Sequence, residues 1–91
     1  MQHKYSEKAD IVYKTLGKIL IAERIGQYKS QRVLADEYDI QKSMVSRIEN
    51  GANEPKLTTI LIMCEALGLK PSELFKRLEE ELPSDFSFLE K

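Results

Sequence analysis

Two short apolar clusters, separated by only a few residues, constrain this chain more than any other feature. Between Ser30 and Gly51 it reads SQRVLADEYDIQKSMVSRIENG. Val33, Leu34 and Ala35 form one cluster, Val45 and Ile48 the other, and Ile40 stands between them. Ser30 is a good N-cap, because its hydroxyl can accept a hydrogen bond from a backbone N–H of the first turn. Gly51 follows Asn50 and suits the left-handed conformation that stops a helix. The stretch therefore predicts helices over 31–38 and 41–50, joined at Tyr38-Asp39-Ile40. Neither is long enough to be stable alone in water. Each must bury its apolar side against the other and against a third element.

Two such helices with so short a turn make a helix-turn-helix unit. Ala35 is the small residue that a close crossing requires, and Ile40 is an apolar plug for the turn. With about 100° between successive residues, Ser43, Ser46, Arg47 and Asn50 lie opposite Val45 and Ile48. Composition alone makes that face an ordinary solvated surface. Its chemistry also fits a DNA groove. Small hydroxyls let a helix backbone approach closely, and the two-pronged guanidinium of Arg47 matches guanine O6 and N7. Lys42 stands near the helix N-terminus, which itself favours phosphate.

The flanking sequence predicts more helices and no convincing strand. One covers 8–27, with Ser6 as N-cap and Val12, Leu16, Ile19, Leu20 and Ala22 recurring near the helical period. Another covers 56–67, with Leu57, Ile60, Leu61, Cys64 and Leu67 on one face and Gly68 as cap. Pro71 opens a last helix carrying Leu74, Phe75, Leu78 and Leu82, and Pro83 ends it. The expected fold is all-α, a compact five-helix domain over 8–82 with the helix-turn-helix at about 30–50. The tail 83–91 holds Phe86, Phe88 and Leu89, too apolar for a solvated end. It is expected to fold back or to join a dimer interface.

Charge distribution is more informative than the net charge of −1. Residues 14–78 hold eleven Lys and Arg against eight Asp and Glu, a surplus of +3. From Glu79 onward, five acids against Lys91 leave −4. A mildly basic body is compatible with nucleic acid without proving it. Cys64 is the sole cysteine and His3 the sole histidine, so neither a disulfide nor a cysteine-based zinc site is expected. Cys64 is best read as a core residue. No catalytic set or phosphate-binding glycine loop is present, so no enzyme and no cofactor are expected. No apolar run approaches a membrane span, and the expected location is the cytoplasm.

The stretch 16–75 resembles the DNA-binding domain of Cro and phage-repressor helix-turn-helix regulators. The matching points are Leu16-Gly17, Arg24, Ser30-Gln31, Leu34-Ala35, Ser46, Ile48-Glu49-Asn50-Gly51, Pro55, Leu57, Ala66-Leu67-Gly68 and Leu74-Phe75. The resemblance implies base contacts from Gln41, Lys42, Ser43 and Arg47, and DNA-backbone contacts from Gln31, Ser46, Asn50, Asn53 and Lys56. It also implies that Arg24 and Glu49 form a structural ion pair between helices. The chain departs from the family at Asp39, where glycine is usual, and at Ile21 and Ala52, where cations are common. Ile62 stands where the family is usually polar, so with Phe86, Phe88 and Leu89 it marks a possible dimer interface. The implied function is a transcriptional regulator that binds a pseudo-palindromic operator on double-stranded DNA as a homodimer, with no small-molecule ligand. Phage-type repressors, restriction–modification controllers and antitoxins are its subtypes. The alternative is a protein-interaction module that keeps the fold without binding DNA.

Overall fold

The computed structural model describes residues 6–89, and among them the chain forms five helices and no strand: α1 (Ser6–Gly26), α2 (Gln31–Glu37), α3 (Lys42–Asn50), α4 (Leu57–Leu67) and α5 (Pro71–Glu81). The boundaries follow from local chemistry. The Ser30 hydroxyl accepts from the Val33 amide at 3.1 Å and starts α2. Gly51 (φ 66°) ends α3 and Gly68 (φ 67°) ends α4, both left-handed. Pro71 opens α5, where its missing N–H costs nothing. Asp39 closes the turn after α2 at φ 54°, which a short polar side chain tolerates better than most. Just beyond it, the Ile40 amide bonds the Ala35 carbonyl at 3.0 Å.

The core is assembled by α1. Its Leu16, Ile19 and Leu20 are buried among Leu34, Val45, Ile48, Met63 and Leu74, so that every other helix contributes to one cluster. α1 packs against α3, α4 and α5, while α2 packs on α3. Burial pushes the Cys64 thiol pKa up, leaving a small apolar residue with little thiolate character.

Some expected core positions are different. Ser6 is already helical rather than a cap. Ala22 is exposed, and Val33 is 46% exposed because the short α2 turns only Leu34 and Ala35 inward. On α4, Leu57 (64% exposed) and Leu61 (42%) face outward, and Met63 and Ala66 fill the core beside Ile60, Cys64 and Leu67. Phe75 also points outward, while Leu82 is partly buried against the cluster.

α1 and α3 meet at backbone distance, and glycines make this possible. A Cβ on Gly17 would overlap the Glu49 carbonyl oxygen and lie 3.1 Å from that of Ile48. A Cβ on Gly51 would sit 2.8 Å from the Lys14 Cα. At the far end of α1, Arg77 of α5 bonds Glu23 at 2.8 Å, and Gln27 donates to the Leu67 carbonyl at 2.7 Å. The tail returns to the start of α1, where the Lys8 ammonium donates to the Ser87 carbonyl. There Phe86 and Phe88 pack edge to face, ring centroids 5.2 Å apart.

Candidate nucleic-acid interface

α3 presents two chemically opposite sides. Val45, Ile48 and Glu49 are buried, at the i, i+3, i+4 spacing of a single helical face. Gln41, Lys42, Ser43, Arg47 and Asn50 are exposed, and Met44 and Ser46 are half-buried. The four residues expected to reach base edges thus share the N-terminal and outer part of one helix. Ser43 Oγ lies 3.5 Å from Gln41 Oε1, so those two side chains are neighbours at its tip.

The buried acid is held by two other helices. Arg24 of α1 donates twice to Glu49, from Nε to Oε2 at 2.7 Å and from Nη2 to Oε1 at 3.0 Å. Gln31 of α2 donates from Nε2 to Glu49 Oε1 at 2.9 Å. Arg24 Nη1 also donates to the Lys29 carbonyl at 2.8 Å, tying in the loop before α2. A bidentate guanidinium–carboxylate pair is both strong and directional. The Glu49 side chain is 2% exposed and that of Arg24 12%, so water screens the pair little. Gln31, which the family resemblance assigns to phosphate, spends one amide hydrogen on Glu49 and keeps its second.

The residues expected at the DNA backbone divide between the two flanks of α3. Gln31, Ser46 and Asn50 line a recess shared with Lys14, Lys18 and Arg24 of α1. Asn53 and Lys56 line a groove on the other flank, with Asp39, Gln41, Arg47 and Ile62. Ile62, 42% exposed, therefore borders the groove beside Arg47, whereas Phe86 and Phe88 lie at the start of α1. Sequence reasoning passed over Lys14 and Lys18. Their i, i+4 spacing around Gly17 was the available signal, since a glycine inside a helix points to a closely packed neighbour.

This assembly has an exposed polar helix, braced from behind by an ion pair and preceded by a helix of seven residues and a tight turn. A helix-turn-helix family model matches residues 20–74, more than half of the chain. The chain belongs to the Cro/repressor-type helix-turn-helix family. The regulator is accordingly a DNA-binding protein of transcription, from a DNA-binding regulatory family that is not typically enzymatic. Searches of curated proteins and of solved structures gave no match to it. Among the regulator's described residues, no helix is long and apolar enough to cross a membrane, and no cluster of His, Cys, Asp and Glu could hold a metal ion.

Proposed function

We propose that the regulator reads a pseudo-palindromic operator as a homodimer, placing one copy of α3 in each of two successive major grooves, roughly 34–36 Å apart. One observation carries this reading: Gln41, Lys42, Ser43 and Arg47 are exposed together on a helix whose opposite face is anchored by Val45, Ile48 and Glu49. Arg47 is the residue of choice for a guanine, by a bidentate contact to O6 and N7. Lys42 and Gln41 reach the first base step, and Ser43 allows close approach. Gln31, Ser46 and Asn50 grip one strand's phosphates, and Asn53 and Lys56 the other's. These contacts set affinity and its salt dependence, while the base-facing residues set sequence choice.

Fragments selected from the source genome by mobility shift will define the operator. On that sequence, Arg47→Ala is expected to weaken binding by about 1–3 kcal/mol and to relax preference at a single base position per half-site. Parent-like discrimination by Arg47→Ala among single-base operator variants would remove the base-reading role of Arg47. A failure of the parent protein to shift any fragment at low salt, with a stable complex formed instead with another protein, would favour the protein-interaction alternative.

The dimer contact is assigned to the outer face of α4. Leu57, Leu61 and Ile62 are all exposed there, and Ile62 borders the Arg47 groove. A two-fold axis beside this face turns both α3 helices toward the same side, as successive half-sites require. Ile62→Glu is expected to give a folded monomer by light scattering and at least tenfold weaker operator binding, since about 1.4 kcal/mol of lost dimer contact already amounts to tenfold. A dimer that survives in Ile62→Glu and in Leu61→Glu sinks the α4 assignment.

A further inference from the structure

The recess between α1 and α3 holds positive charge that nothing in the fold uses. Lys14 and Lys18 are exposed, one turn apart on the same side of α1. Among the described residues neither lysine enters an ion pair; the pairs are Arg24–Glu49, Lys29–Glu37 and Arg77–Glu23. Arg24, in the same recess, is committed to Glu49 and to the Lys29 carbonyl, so its charge is largely cancelled. Ile21 contributes none. The nearby acids Asp10 and Glu54 line a different recess with Tyr13, whose hydroxyl pKa is raised by burial first and then by those two carboxylates.

Two lysines on the exposed side of α1 would ordinarily be unremarkable surface charge. Their position relative to α3 is fixed by the backbone, however. Gly51 brings the end of α3 against the Lys14 Cα, and Gly17 lets the Glu49 carbonyl approach α1 between the two lysines in sequence. Lys14 and Lys18 consequently open onto the same recess as Ser46 and Asn50. It therefore combines two ammonium groups, a hydroxyl and an amide, donors suited to an oxyanion. It flanks the exposed face of α3 on the side away from Asn53 and Lys56.

We infer that Lys14 and Lys18 form a phosphate-binding site for the DNA backbone, extending the interface from the helix-turn-helix onto α1. This rests on the reading of α3 as the groove-entering helix. The site is sequence-independent, because phosphates carry no base identity. It supplies grip and register, and it places an α1 clamp on the strand that Gln31 and Asn50 approach.

The test uses the full chain, a genomically selected duplex and a base-scrambled duplex of the same length, with binding measured over a series of salt concentrations. Removing one lysine–phosphate contact lowers the steepness of log K against log salt by about 0.9. Lys14→Gln with Lys18→Gln is expected to reduce it by about 1.8 on both duplexes, to leave the ratio of the two affinities unchanged, and to unfold at the parent's temperature. Lys14→Arg with Lys18→Arg is expected to restore the slope. A parent-like slope in the glutamine variant overturns the site while leaving the α3 reading intact. So does a loss confined to the selected duplex, which would mean base reading instead. No binding of either duplex by the parent overturns both.

Discussion

Arg24→Met is expected to lower the unfolding free energy by about 3–5 kcal/mol, read from the midpoint of a urea transition. The substitution takes away two of the three side-chain hydrogen bonds to Glu49 and leaves a buried carboxylate without its cation. It also frees the Lys29 carbonyl. A domain of this class has roughly 5–15 kcal/mol in all, so the variant sits near the edge of folding. The penalty arises mainly from the stranded charge, not from the lost attraction. Arg24→Met combined with Glu49→Met therefore regains most of the stability, because an apolar pair of similar volume is often as good as a buried ion pair. DNA binding is expected not to return in the double variant, since the bonds from Arg24 and Gln31 that lock α3 through Glu49 are then gone. A single-variant loss under about 1 kcal/mol, the value of an exposed pair, would show that Glu49 reaches water.

Gly17→Ala is the second large effect. Alanine is ordinarily better than glycine inside a helix by roughly 1 kcal/mol, so intrinsic preference favours the change. Packing reverses the sign. The new methyl overlaps the Glu49 carbonyl oxygen and presses on that of Ile48, and both are backbone atoms that cannot turn aside. α1 and α3 must separate, and overpacking of this kind costs typically about 1–3 kcal/mol. The same displacement shifts Glu49 relative to Arg24 and opens the Lys14–Lys18 recess. Gly26→Ala supplies the contrast. A Cβ at Gly26, the last residue of α1, meets nothing within 4 Å, and its φ is not positive. That variant should gain about 0.4–1 kcal/mol. If the two substitutions moved the melting temperature in the same direction, the close crossing of α1 and α3 would be wrong.

The sequence was most legible where structure is decided locally. Ser30, Gly51, Gly68 and Pro71 act on their own turns, and helix ends fall at or within a residue of them. The inner side of α3 was legible because it offers only Val45 and Ile48 as large anchors. α4 was not, for the opposite reason. LTTILIMCEAL is apolar nearly all round, so a helical period can be drawn through Leu57 and Leu61 as well as through Met63 and Ala66. Only the position of α1 selects between them. Val33 misled for a similar reason, since three adjacent apolar residues cannot all face one neighbour. At the interface, the exposed side of α3 follows from its buried side. The bond from Gln31 to Glu49 and the lysines of α1 depend on long-range contacts that one-dimensional spacing does not encode.

Glu49 is bonded to helices on two sides, and this has a mechanical consequence for reading DNA. A single contact would let α3 pivot about its axis; Arg24 from α1 and Gln31 from α2 together remove that freedom. On the proposed reading, when a base step does not suit Arg47 the protein has little compliance with which to adapt. The duplex must bend or twist instead, and its stiffness depends on sequence at positions no side chain touches. A stiff reading head thereby transfers part of the discrimination from the chemistry of the bases to the elasticity of the DNA between them.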